Sequence, residues 1–138
     1  MIYQNIISAL GLIGLGAILK SIIDSLLKAK ELQRQKQNDF KEVRYKAVIL
    51  LMHGMLDFEK SRPEFEKHGR QFNTITDLLE EIKIERNNMI LYASDKVILA
   101  ITEFINQSTE ENYFRVAFAM RKDLYGLNTR LLPSDLNM

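Results

Sequence analysis

The run IISALGLIGLGAIL, residues 6–19, decides how the chain is interpreted, because it is long, apolar and uncharged. As a helix, residues 2–19 would be about 27 Å long at ~1.5 Å per residue. The hydrocarbon core of a bilayer is about 30 Å thick. The sequence therefore predicts a membrane-anchor helix over residues 1–27. Whether the span stops at Leu19 or continues to Leu27 stays open.

The anchor segment also contains small and charged side chains. Small residues let membrane helices approach one another closely, and two opposite charges four residues apart can pair on one helical face. The small residues favour homo-oligomerisation of the anchor. The candidate anchor and assembly residues are Ser8, Gly11, Gly14, Gly16, Lys20 and Asp24.

A basic block follows the apolar run directly. Residues 28–46 hold seven basic and three acidic side chains, whereas residues 47–138 hold 11 basic and 14 acidic ones. Positive charge beside a span is typical of its cytoplasmic side. We therefore expect a basic juxtamembrane stalk over 28–46, an outside N-terminus, a cytoplasmic C-terminal domain and the lipid bilayer as a partner. The basic candidates of the stalk are Lys28, Lys30, Arg34 and Lys36.

Two other interpretations of the N-terminal segment stay open. A cleaved signal peptide would carry basic residues before the apolar run and a small-residue cleavage site after it, and neither is evident. An amphipathic helix on a membrane or partner, or a core helix of a soluble protein, is the other interpretation. The basic residues do not form a stripe across the folded domain, so a nucleic-acid partner is not expected.

The rest of the chain has a helical pattern. From Phe40 to Phe58, apolar residues recur every three or four positions, which is typical of an amphipathic helix with one buried face. Pro63 is expected to end this helix or to open the next one. No useful strand-like alternation occurs. The predicted fold is all-α, with a transmembrane helix, a long juxtamembrane helix, a cytoplasmic bundle over 47–126 and a tail over 127–138.

Capping residues predict where the shorter helices begin and end. Asn73 or Thr74 is expected to cap a third helix, and Thr74 with Asp77 three positions later is a weak version of the capping box. Ser94 and Thr109 are candidates for the N-caps of two further helices. Gly126 is well placed to stop the last helix.

Residues with catalytic or metal-binding chemistry are sparse. The chain has no cysteine, which excludes disulfides and thiolate chemistry. Its two histidines, His53 and His68, lack metal-ligand spacing, and no nucleotide-binding or nucleophile motif is present. We predict no catalytic residue, no metal site and no cofactor, and we expect the protein not to be an enzyme.

Three segments carry a resemblance. Residues 44–47 (RYKA), 91–97 (LYASDKV) and 119–124 (AMRKDL) resemble those of a loosely defined group of small, uncharacterised bacterial membrane-anchored proteins. The resemblance implies an N-terminal hydrophobic helix and a cytoplasmic helical domain. It implies no catalytic residue.

These observations lead to a functional hypothesis of a non-catalytic, membrane-tethered helical module. Such a module would self-associate or recruit a cytoplasmic protein partner. One alternative is an oligomeric membrane-perturbing or pore-forming effector of bacterial or phage conflict, because intramembrane charges tend to face a bundle interior. A second alternative is a soluble helical protein whose first helix belongs to the core.

Overall fold

The computed structural model describes the backbone of residues 2–136 and the side chains of residues 17–136. The structure is 81% helical, and none of the described residues forms a strand. This confirms the predicted all-α class. The elements are α1 (Ile2–Leu56), α2 (Phe58–Lys67), α3 (Ile75–Met89), α4 (Asp95–Asn106), α5 (Glu110–Tyr125) and a 3₁₀ helix (Pro133–Leu136).

The chain divides into two compact units, residues 1–39 and residues 40–138. The described part of the first unit is helix throughout. The second unit contains the end of α1, all the later helices and the 3₁₀ helix, which packs against α5. The sequence-based boundaries at residues 27, 46 and 126 stay predictions.

The membrane assignment needs a correction. Among the described residues, no helix has an apolar stretch long enough to cross a bilayer. From residue 17 onward, Lys20 and Asp24 interrupt the apolar sequence, and Lys28 and Lys30 follow within a few positions. This finding contradicts the predicted single-pass location with an outside N-terminus and a cytoplasmic domain. The small residues Ser8, Gly11, Gly14 and Gly16 lie outside the residues whose side chains are described.

Local capping explains most helix boundaries in the second unit. The Thr74 hydroxyl accepts from the Asp77 amide at 3.1 Å, and the Asp77 carboxylate accepts from the Thr74 amide at 3.0 Å, so the capping box is complete. Thr109 accepts from the Asn112 amide at 3.2 Å. Gly126 ends α5 with a left-handed φ of 67°, a conformation that glycine adopts without a steric cost. These predicted caps are confirmed.

Ser94 is the N-cap residue of α4, as predicted, although its side chain makes no capping hydrogen bond. One boundary differs from the prediction. Pro63 lies inside α2 and neither ends nor opens a helix. An internal proline costs a helix about 3 kcal/mol, and two features offset that cost. Asp57 caps the start of α2 by accepting from the Lys60 amide at 3.3 Å, and Phe65 near its end is buried.

The hydrophobic core of the second unit draws on all five helices. α1 contributes Tyr45, Val48, Leu51 and Met52; α2 contributes Phe65; α3 contributes Leu78, Ile82 and Met89; α4 contributes Val97, Ile101 and Phe104; α5 contributes Val116 and Met120. These side chains are at most 3% exposed. The apolar periodicity from Phe40 to Phe58 predicts this core face only in part, because Phe40 and Val43 are 54% and 68% exposed whereas Tyr45, Val48 and Met52 are buried.

Gly54 lets α2 pack closely against α1. A Cβ atom at Gly54 would lie 2.2 Å from Cζ of Phe65 and 3.2 Å from a methyl carbon of Leu78. Carbon atoms in contact normally stay about 3.5–4.0 Å apart. The Phe65 ring thus occupies the space that any larger residue at position 54 would need.

Candidate functional site

The first unit presents an unpartnered apolar surface, which we name the α1 apolar face. Each of its six side chains is between 51% and 65% exposed. At 3.6 residues per turn, their positions fall on one half of the helix. The α1 apolar face consists of Ile18, Leu19, Ile22, Ile23, Leu26 and Leu27.

The opposite half of this helical segment is polar. Lys20, Ser21, Asp24, Ser25 and Lys28 all project away from the six apolar residues by the same periodicity, and all are exposed. The described part of α1 between residues 17 and 28 is thus strongly amphipathic. Its polar half suits water, and its apolar half suits contact with another apolar surface.

The sequence-predicted charged residues are placed in solvent. Lys20 and Asp24 are exposed, and no ion pair joins them among the described side chains. The four basic candidates of the stalk are likewise exposed: Lys28, Lys30, Arg34 and Lys36.

A polar cluster joins α1 to α5 in the second unit. Oδ2 of Asp123 accepts from the Tyr45 hydroxyl at 2.5 Å and from Nζ of Lys41 at 3.1 Å. Lys41 and Tyr45 are four residues apart and therefore share one face of α1. The Asp123 side chain is only 11% exposed, so this contact is largely shielded from water.

Electrostatics hold this cluster in one protonation state. Burial by itself raises the pKa of Asp123, but hydrogen bonds from Tyr45 and Lys41 outweigh it and keep that pKa below its ordinary value. Burial, followed by the hydrogen bond to the carboxylate, raises the pKa of the Tyr45 phenol. At neutral pH the carboxylate is charged and the phenol is protonated. The cluster is therefore suited to fastening α1 to α5 through charge-assisted hydrogen bonds.

A second ion pair joins α1 to α3. Nη2 of Arg44 lies 2.6 Å from Oε2 of Glu85, whose side chain is 8% exposed. The Tyr92 ring packs nearby, 6.4 Å from the Tyr45 ring and 5.1 Å from the Phe40 ring in an edge-to-face arrangement. Polar and aromatic contacts therefore hold this part of α1 against α3 and α5.

A shallow groove of about 300 Å³ lies between α1 and α5. Its floor is apolar, and at its rim Glu42 accepts from Lys46 at 2.6 Å and from the Tyr125 hydroxyl at 2.9 Å. These bonds, the one from Lys46 first, lower the pKa of Glu42. The groove can hold one or two apolar side chains. Its apolar lining includes Ile49, Ala117, Met120 and Leu124.

The histidines lie in packing and capping positions. The centroid of the His53 ring lies 6.1 Å from that of the Tyr113 ring. His68 is the C-cap residue of α2, and its Nε2 lies 3.4 Å from Oε1 of Glu64. Among the described residues, no group of three or more histidine, cysteine or acidic side chains is arranged to hold a metal ion.

The polar cluster has no signal in the sequence. Asp123 follows Arg121 and Lys122 at a charged helix end, whereas its partners lie 82 and 78 positions earlier in the chain. The signal for the α1 apolar face is present, since three adjacent apolar pairs recur every four residues from Ile18 to Leu27. The same pattern also fits a helix that contacts lipid, which is the interpretation that the sequence favours.

No family model matches this chain, and neither a curated protein nor a solved structure matches it. The functional argument therefore rests on the residues of the chain itself.

Proposed function

We propose that this protein is a non-catalytic helical module that self-associates through the α1 apolar face. The observation that carries the proposal is the exposure of all six apolar side chains along one side of a single helical segment. Large contiguous apolar patches on a folded protein mark interaction sites, whereas single exposed apolar residues do not. Other copies of the chain offer the same face and can cover it.

Burial of the α1 apolar face is expected to contribute enough free energy to drive association. Full burial of a leucine or isoleucine side chain contributes about 1.5–3 kcal/mol. Since these residues are roughly half exposed, each has about 1 kcal/mol still to gain, or ~6 kcal/mol per chain. Two or more copies together can then offset the loss of translational and rotational freedom, which costs at least about 4 kcal/mol per association.

Charge also favours a second copy as the occupant. Lys20 and Asp24 offset one another, so residues 17–27 carry no net charge and two copies do not repel there. Both side chains lie on the polar half and stay in water when the apolar halves meet. Segments without net charge and with one apolar half are well suited to isologous helix pairing.

The other functional hypotheses stay predictions. Recruitment of a protein partner is compatible with the groove between α1 and α5, but the α1 apolar face is the more exposed apolar surface. We therefore propose self-association rather than recruitment of a protein partner.

Analytical ultracentrifugation of the full chain tests the proposal, with Leu26→Glu as the disruptive variant and Ser21→Glu as its matched control. Leu26 is the most exposed member of the α1 apolar face at 65%, and Ser21 lies on the polar half. We expect the wild-type chain and Ser21→Glu to associate at micromolar concentration and Leu26→Glu to be monomeric. Circular dichroism checks that all three remain helical.

Two outcomes contradict self-association. One is a wild-type chain that stays monomeric over the whole concentration range, including one that instead co-sediments with phospholipid vesicles. The other is an equal loss of association in Leu26→Glu and Ser21→Glu, which would show that the added charge matters and the face does not.

A further inference from the structure

The α1 apolar face is organised as two rows. The first row is Ile18, Ile22 and Leu26, and the second row is Leu19, Ile23 and Leu27. Residues four apart lie above one another on a helix, and successive residues are about 100° apart around its axis. The two rows therefore run side by side, roughly 100° apart, and together cover about half of the helix circumference.

A pair of helices would leave part of this face uncovered. Two-helix pairing uses a seam with alternating spacings of three and four residues. In this segment that seam is Leu19, Ile22 and Leu26, which takes residues from both rows. Leu27 lies roughly 100° from the middle of such a seam and would remain in water.

The exposure values show that neither row is covered by the residues whose side chains the structure describes. Leu27 in the second row is 60% exposed, and Leu26 in the first row is 65% exposed. Each row is thus uncovered to a similar degree. A helix that contacts two neighbours at once, as in a four-helix bundle, needs two contact lines of this kind.

We propose that the α1 apolar faces of three or more copies assemble into one helical bundle, in which each row contacts a different neighbouring copy. This inference rests on the proposed self-association and adds to it the number of copies. The angle between the rows is close to the right angle between the two neighbours of a helix in a bundle of four. The polar half, which includes Lys20 and Asp24, faces solvent on the outside of the bundle.

Native mass spectrometry and sedimentation equilibrium of the full chain measure the number of copies in the assembly. Leu27→Glu is the discriminating variant, and Ser21→Glu is the control. The wild-type chain and Ser21→Glu should have the mass of three or more copies. Leu27→Glu should lower that number by at least one, because Leu27 contacts a neighbour only in the larger bundle. Circular dichroism should be unchanged, since Leu27 is exposed within its own chain.

The possible results separate the two proposals. A wild-type monomer overturns self-association itself. A wild-type dimer leaves self-association standing and overturns the larger bundle. A wild-type assembly of three or more copies whose mass is the same in Leu27→Glu overturns the assignment of the second row to a neighbouring copy.

Discussion

Gly54 offers a quantitative test of the packing between α1 and α2. A Cβ at this position would lie 2.2 Å from Cζ and 2.7 Å from Cε2 of Phe65. Normal carbon contacts are about 3.5–4.0 Å, so the ring would have to move by about 1.5 Å. It has little room to do so, since Phe65 is 1% exposed and packs edge-to-face on Phe72 with the ring centroids 5.2 Å apart.

The expected effect of Gly54→Ala is a balance of two terms. Overpacking a core costs about 1–3 kcal/mol, whereas alanine is about 1 kcal/mol better than glycine inside a helix. We therefore expect Gly54→Ala to lower the free energy of unfolding by about 1 kcal/mol. Without the close contact, the same substitution would raise it by about 1 kcal/mol.

Phe65→Leu supplies the background that separates these terms, because leucine lacks the Cζ and Cε2 atoms. In this background Gly54→Ala should become stabilising. The wild-type chain, the two single variants and the double variant form a double-mutant cycle, and their stabilities can be compared by urea unfolding followed by circular dichroism. The change in the effect of Gly54→Ala between the two backgrounds should be about 1–3 kcal/mol.

Gly126→Ala is the matched control. Gly126 has a positive φ of 67°, and no atom lies within 4 Å of the place that a Cβ would take, so alanine there should cost about 1–2 kcal/mol through the backbone alone. Its effect should be the same with phenylalanine or leucine at position 65. If Gly54→Ala is also independent of residue 65 to within about 0.5 kcal/mol, the inferred contact between α1 and α2 is wrong.

Three further predictions concern the polar contacts of the second unit. Tyr45→Phe should cost about 1–2 kcal/mol of unfolding free energy, because it removes a shielded hydrogen bond to a carboxylate; a neutral result in urea unfolding would contradict this. The pKa of Asp123 is lowered from its ordinary value of 3.8, so its stabilising contribution is present above that ordinary value and is lost as the pH falls through the lowered pKa. Asp123→Asn should therefore be less stable than the wild-type chain at neutral pH and should lose less stability on acidification. If the free energy of unfolding falls with pH in parallel for the two proteins, the inferred role of the Asp123 carboxylate is wrong. Arg44→Met combined with Glu85→Leu should cost less than Arg44→Met alone, because the single change leaves the Glu85 carboxylate, which is 8% exposed, without its cation; thermal unfolding of the variants checks the order.

Interactions within a few residues of one another were predictable from the sequence. Thr74 and Asp77 are three positions apart, and a helix start brings their side chains and amides together without help from the rest of the chain. Gly126 stops α5 for a similarly local reason, its freedom to adopt a positive φ. The starts of α3, α4 and α5 and the end of α5 follow from such signals, whereas α2 does not.

Contacts between distant residues were not predictable. The Asp123 carboxylate meets Lys41 and Tyr45 only because α5 packs beside α1, and 82 and 78 residues separate the partners. Pro63 marks a helix boundary by local propensity, yet it lies inside α2. Burial of Phe65 and capping by Asp57 outweigh the local preference there.

The sequence by itself determined that this chain is helical, where several helices begin and end, and that residues 18–27 carry two apolar rows. Only the tertiary structure decided which apolar faces the chain covers itself. The face containing Val48 and Met52 is buried in the core, whereas the face containing Ile22 and Leu26 remains exposed. The physical reason is that apolar periodicity reports a tendency to leave water. It does not say whether lipid, the same chain or another copy provides the cover.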